Sequence, residues 1–260
     1  MVYTAIQMVS WRTWSGQGTS EMSESLYTIG GLRFWIENEI ELREAFQARL
    51  AAVMRRELLD TNAAWRIIRV EGPCLSPRTK ISAAYSDDDL FVTNHHAGGG
   101  PLCLRAETTP SSYAWAKQIG GKLPLCVWQA GKSFRRETND GASAAKLRFN
   151  EFWQQEFQCI YRADSSNDYR AKIMPSVVNE IARFTGLETR IVPSERVPDY
   201  ALSTLDIEAC YGGKWREVAS CSIRTDYQPD TLVAEFAIGL CRVATMAACA
   251  RYRKDGEHLK

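Results

Sequence analysis

Long apolar runs are missing from this chain. No stretch reaches the roughly 18 apolar residues of a membrane-spanning helix. The first residues, MVYTAIQMVSWRTWSGQG, have no basic segment ahead of a sustained apolar core, so neither a span nor a secretory leader is expected. An excess of charge of either sign is missing too. A formal net charge of +1 argues against nonspecific coating of nucleic acid and leaves only a local basic groove open. The eight cysteines, Cys74, Cys103, Cys126, Cys159, Cys210, Cys221, Cys241 and Cys249, never form a CxxC pair, which excludes the usual zinc-ligand spacing. Lying in apolar runs, they are expected to be buried free thiols in a reducing, cytoplasmic-type compartment. Neither G-x-x-x-x-G-K-[ST] nor G-x-G-x-x-G occurs, so the common glycine-rich phosphate cradles are excluded. There is no internal repeat and no low-complexity tract.

What is present is a chain of 260 residues, 45% hydrophobic, enough to bury one substantial core. Ile36, Ile40, Phe46, Leu50, Val53 and Leu58 recur at spacings of three and four, predicting a long amphipathic helix over about 34–59. WRIIRV reads as a short strand stopped by the two prolines of EGPCLSP. Strands are expected at DLFVT, PLCLRAETT, LPLCVWQ, SFRRE and LRFNEFWQQEFQCIY, with a helix around 111–119. His95 and His96 before Gly98–Gly100 read as an exposed flexible loop. Met174, Pro175 and Ser176 are expected to open a helix that Gly186 closes. TRIVP, STLDIEAC, KWREVASCSI and TLVAEFAI follow as strands, then a helix over about 239–253. Helices flanking six or more strands indicate an α+β domain with an antiparallel or mixed sheet.

The densest charge lies in KSFRRETNDGASAAKLRFNEF, residues 132–152. If its two arms are antiparallel neighbours, alternate side chains share a face and Arg135 projects with Glu137. A guanidinium beside a carboxylate suits a phosphate and a base amine, because one binds anionic oxygens bidentately and the other accepts N–H donors. Arg105 and Glu107, Glu217, and Glu235 with Arg242 repeat the theme. Each alone reads equally as a solvated surface pair.

These segments resemble the catalytic core of class II aminoacyl-tRNA synthetases, most closely the glycyl enzymes. LPLCVWQAGKSFRRE with LRFNEFWQQEF resembles the ATP-holding motif 2, LRAETTP the amino-acid-binding strand, and AEFAIGLCR motif 3. The long helix, the strand after it and Pro73 resemble motif 1 more weakly. The resemblance implies a six- or seven-stranded antiparallel sheet flanked by helices over residues 33–260, after a lead segment 1–32, and a homodimer formed through motif 1. It implies ATP and Mg²⁺ as substrate and cofactor. Arg135 would take the α-phosphate and Arg242 the γ-phosphate as the catalytic pair. Glu137 would take the adenine amine, Phe152 would stack beneath the ring, Arg148 would complete the ATP set, and Glu217 would carry Mg²⁺. Glu107, Glu156 and Ala237 would face the amino acid.

Two departures matter. Motif 3 has Ala237 for a serine and Cys241 for a glycine, which loosens the inference about side-chain selectivity. The anticodon-binding domain of glycyl enzymes has no counterpart after motif 3, so a stand-alone core is expected. A small amino acid, glycine first, would then pass to tRNA, a carrier protein, a modified nucleic-acid base or a small amine. The alternative is a noncatalytic paralogue that binds an amino acid or nucleotide and regulates a partner. Retention of both arginines favours the ligase.

Overall fold

The computed structural model describes residues 28–29, 32–82, 85–97, 99–137 and 147–257. Most of the expected lead segment 1–32, Gly98, and the whole loop TNDGASAAK, residues 138–146, lie outside the described residues.

Twelve strands and four α-helices make up this part. Thr28–Ile29 (β1) and Leu32–Arg33 (β2) pair antiparallel ahead of helix α1, Glu37–Thr61. Glu37 and Glu39 sit in its first turn, where the helix dipole favours acids. Its apolar stripe of Leu42, Phe46, Leu50, Met54 and Leu58 is buried. Next come β3 (Arg66–Arg69), β4 (Leu75–Pro77), β5 (Val92–Ala97), β6 (Gly100–Leu104), α2 (Thr109–Ile119), β7 (Leu125–Phe134) and β8 (Glu151–Arg162). The chain continues through α3 (Tyr169–Thr185), β9 (Thr189–Pro193), β10 (Ala201–Tyr211), β11 (Lys214–Arg224), β12 (Thr231–Gly239) and α4 (Leu240–Glu257). No helix among the described residues is long and apolar enough to cross a membrane.

The main sheet has seven strands in the order β3-β7-β8-β12-β11-β10-β9. It departs from the antiparallel expectation at one edge, where β3 runs parallel to β7. This works because α2 and the β4-β6-β5 sheet lie between β3 and β7 and supply the crossover a parallel pair needs. LPLCVWQ and SFRRE are one continuous strand to Phe134 rather than two.

Strand parity divides the sheet's two faces. On one, Phe157, Cys159 and Tyr161 of β8, with Ala234, Phe236 and Ile238 of β12, join the apolar residues of α1, α3 and α4 in the principal core. On the other, Gln154, Glu156 and Gln158 alternate with them and are also buried, as is Glu235. Burying a row of polar side chains in central strands costs free energy unless each is partnered. This is therefore the face on which a site is to be sought. One end of it is closed by α2, through Tyr113 and Ala116 packing on Leu125, Val127, Ile160 and Val233.

Two local expectations are corrected. Helix α3 begins at Tyr169, capped by the Asp168 carboxylate accepting the Ala171 N–H at 2.9 Å, so Pro175 lies inside it. Burial of Tyr169, Ile173, Val177 and Ile181 outweighs the missing proline N–H. Gly186 closes the helix as expected, in the left-handed region at φ 70°. His95 and His96 are not in a loop. They lie exposed on β5, an edge strand of the small sheet β4-β6-β5.

Candidate functional site

A cavity of about 510 Å³ opens on the polar face of the sheet, within the size range of ligand pockets. Every residue to which the family resemblance gave a site role lines it: Glu107, Arg135, Glu137, Arg148, Phe152, Glu156, Glu217, Ala237 and Arg242. Strand pairing explains the convergence. Glu156 stands opposite both Gln129 and Ala237, and Phe152 opposite Ser133, so β7, β8 and β12 present their site residues side by side.

Arg135 follows β7 and donates from Nε to the Ala106 carbonyl at 3.1 Å. Its guanidinium lies near two rings, 5.2 Å from the centroid of Tyr85 and 5.3 Å from that of Phe152. Burial opposes its charge, and Tyr85 with the carboxylates of Glu107, Glu156 and Glu217 outweighs that and raises its pKa. Arg242, at the start of α4, donates from Nε to the Leu147 carbonyl at 3.1 Å. Its Nη1 reaches the Glu217 carbonyl at 2.8 Å and the Glu217 carboxylate at 3.3 Å. Arg148 and Glu137 pair at 3.4 Å at the rim.

Three carboxyl groups, those of Glu107, Glu156 and Glu235, line the cavity wall. Glu156 Oε2 accepts from the Thr108 N–H at 3.0 Å, Thr108 Oγ1 at 2.6 Å and Thr109 Oγ1 at 3.0 Å, all at the N-terminus of α2. Its Oε1 accepts from Gln154 at 2.6 Å. Glu235 Oε1 accepts from Thr109 Oγ1 at 3.0 Å, Gln158 Nε2 at 2.8 Å and Arg224 Nη1 at 2.7 Å. Thr109 has one hydroxyl proton for two carboxylates, so it serves one at a time. Arg224 also binds Asp226 at 2.6 Å and stacks 3.9 Å from the Tyr200 ring.

Charge here is unbalanced. Burial raises the pKa of Glu156, with Glu235 adding to it, and the threonine bonds do not offset this. Burial likewise pushes Glu107 up to about 8, with Arg224 opposing and Glu156 and Glu235 reinforcing. Acids held this way in a cleft mark it as a candidate functional site.

Glu217 is half exposed, and Asp206 lines the same cavity within its electrostatic reach. Among the described residues no group of three His, Cys, Asp or Glu side chains could hold a metal ion alone. That donor set fits Mg²⁺, which commonly takes one or two carboxylates and completes its shell with phosphate and water.

One pair was misread from the sequence. Arg105 does not accompany Glu107 into the cavity. It is buried and grips backbone, donating to the carbonyls of Lys132 at 2.7 Å, Gly72 at 2.8 Å and Pro73 at 3.1 Å. Glycine at 131 makes the room, since a Cβ there would stand 2.1 Å from Arg105 Nη2. Of the eight cysteines, all free, five are buried as expected, whereas Cys74 is exposed and Cys210 and Cys249 are half-buried. Tyr85, Tyr200, Asp206 and Arg224 were not identified as site residues from the sequence, and Glu235 only as part of a charge pattern. Parity with Ser220 and Ser222 on β11 would have found Arg224, and parity with Ala237 on β12 would have found Glu235. Tyr85 and Tyr200 carry no such signal.

Comparison with known proteins places these observations. Residues 96–248, more than half of the chain, match the model of the tRNA synthetase class II core domain (G, H, P, S and T). A glycine–tRNA ligase of Caldanaerobacter subterraneus subsp. tengcongensis is 30% identical over 130 residues, 48% of this chain and 28% of the relative. A serine–tRNA ligase of Rhizobium rhizogenes is 28% identical over 156 residues, 57% of this chain and 36% of the relative. Among solved structures, Giardia lamblia prolyl-tRNA synthetase in complex with prolyl-adenylate superposes with a TM-score of 0.65 at 15% identity, covering 85% of this chain and 49% of that one. The chain thus spans less than half the length of these relatives.

Proposed function

The chain belongs to the class II tRNA synthetase core family, and from that premise we propose that its cavity joins a small amino acid, glycine first, to the adenylate of ATP. The observation carrying this is a single cavity lined both by Arg135, Arg242 and Phe152 and by the carboxyl groups of Glu107, Glu156 and Glu235. A molecule with an ammonium and a carboxylate, set between them, has its ammonium among the acids and its carboxylate pointing toward a phosphate held by Arg135.

In this reading Glu107 and Glu156 take the ammonium and Ala237 borders the side chain. Arg135 binds the α-phosphate, Arg242 the γ-phosphate, and Arg148 contributes at the rim. Phe152 underlies the adenine and Glu137 accepts from its amine. A carboxylate oxygen of the amino acid attacks the α-phosphorus, a new O–P bond forms, the bond to the bridging β-phosphate oxygen breaks, and pyrophosphate leaves. The carboxylate is already a nucleophile, so the protein supplies position and charge rather than a base. Mg²⁺, held by Glu217 with Asp206 alongside, would neutralise triphosphate charge. The prolyl-adenylate in the Giardia relative supports an adenylate as the product class.

The acyl group then passes to an acceptor: tRNA first, since the matched relatives are tRNA ligases, with a carrier protein, a modified nucleic-acid base or a small amine as the other candidates. Eight free cysteines suit a reducing, cytoplasmic-type compartment, and we take the working unit to be a homodimer formed through the region of α1 and β3.

Amino-acid-dependent ATP–pyrophosphate exchange tests the reading. Exchange is expected with glycine or another small amino acid, and Arg135→Ala lowers it by about 10²- to 10³-fold. ATP binding without exchange for any common amino acid would refute the ligase and favour a noncatalytic, regulatory paralogue. Transfer of labelled amino acid to tRNA, protein and small-amine fractions then identifies the acceptor.

A further inference from the structure

We propose that Tyr85 is a positioning and specificity-determining residue, its ring fixing the Arg135 guanidinium and roofing the amino-acid end of the cavity so that only a small side chain fits. The inference rests on the adenylation reading above and names a residue outside every segment that carried the family resemblance.

Contacts from several directions hold Tyr85. Its ring and that of Phe152 both lie within cation–π distance of the Arg135 guanidinium, at 5.2 and 5.3 Å, and an Arg held against two aromatic rings is restrained by both. Behind the ring lies a separate small core of Ile81, Leu90, Cys103 and Ala106, against which Tyr85 packs. Its carbonyl accepts from Arg78 Nη2 at 2.8 Å, and Arg78 is itself paired with Asp87 at 2.7 Å. Its N–H donates to the Ser82 carbonyl at 3.1 Å.

The same segment is tied to the strand that carries the arginine. The Asp89 carbonyl accepts the Arg136 N–H at 3.0 Å, one residue beyond Arg135. The Asp89 carboxylate closes the turn on Ser86, at 2.9 Å to its N–H and 2.6 Å to its hydroxyl. Residues 85–89 and 135–136 therefore form one bonded unit, and a shift of Tyr85 is a shift of Arg135.

Burial raises the Tyr85 pKa; Arg135 opposes this, while Glu107, Tyr200 and Glu156 act with burial. Tyr85 and Tyr200 line the cavity together with Glu107 and Glu156. A rigid aromatic on this wall narrows the cavity it shares with the acids, a restriction that the small side chain of Ala237 cannot impose.

The test compares Tyr85→Phe, which keeps the ring, with Tyr85→Leu and Tyr85→Met, which fill the small core without an aromatic face. In pyrophosphate exchange, both aliphatic variants are expected to lose about 10²-fold in kcat, as for a displaced catalytic group. They are also expected to narrow the preference for glycine over alanine and serine about tenfold. Tyr85→Phe stays within about threefold of the parent on both measures, because the ring face is retained. A purely structural role would leave the amino-acid ranking unmoved. Aliphatic variants that match the parent, or a Tyr85→Phe as impaired as they are, would overturn the inference. If the parent activates no amino acid, the adenylation reading fails by itself. Calorimetric titration with ATP then decides the Arg135 contact: weaker binding in Leu and Met but not Phe supports it, and equal Kd in all four proteins overturns it.

Discussion

Arg224→Met removes the cation that pairs with Glu235, a residue of the cavity lining. Arg224 is 2% exposed and its partner Glu235 8%, joined at 2.7 Å, so solvent cannot take over when one is lost. Asp226, 32% exposed, is better placed to be hydrated, and the cost falls mainly on Glu235. Stranding one partner of a buried pair costs about 3–5 kcal/mol. For a chain of this size each kcal/mol lowers Tm by roughly 2–4 °C, so a fall of roughly 10 °C in Tm is expected by circular dichroism. Adding Glu235→Gln should recover most of it, because the amide keeps a contact to Gln158 or Thr109 and no longer needs a counter-charge. A coupling of about 2 kcal/mol or more between the two sites is expected from a double-mutant cycle. A single-variant loss under about 1 kcal/mol, or strict additivity, would refute the claim that Arg224 and Glu235 form a desolvated pair.

Glu107 gives a pH prediction whose sign follows from the direction of its shift. Folding raises its pKa from the ordinary 4.5 to about 8, so between these values the folded protein holds a proton that the unfolded chain has released. Stability contributed by that proton is present at low pH and lost as pH rises toward 8, and Glu107→Gln should flatten this part of the stability profile on chemical denaturation. An identical slope in parent and variant would rule it out. Gly131→Ala places a Cβ 2.1 Å from Arg105 Nη2. It should destabilise by about 1–3 kcal/mol, measured by denaturant titration, and a neutral result would show that Arg105 yields without losing its carbonyl partners.

The sheet was legible because strand alternation and helix periodicity are local. Phe157, Cys159 and Tyr161 alternating with Gln154, Glu156 and Gln158 can be read along one segment. Ladder register is not local, and this hid the contact of Arg224 on β11 with Glu235 on β12, joined only when the strands pair. Charge was legible while its destination was not. Arg135 and Arg105 look alike in sequence, yet one faces the cavity and the other holds the carbonyls of residues 72, 73 and 132. Pro175 drew the start of α3 too late, although Tyr169, Ile173, Val177 and Ile181 already mark one helical face with Asp168 as its cap. Gly98–Gly100 drew the histidines into a loop, because an edge strand exposed along its length lacks the apolar alternation that identifies a strand.

The adenylate itself is the most direct test. In a single turnover with α-labelled ATP, glycine and excess protein, label should move into an aminoacyl-adenylate that stays protein-bound until an acceptor is added, and Glu156→Gln should abolish this while still binding ATP. Label remaining as ATP with every small amino acid, in protein shown to bind the nucleotide, would contradict the account.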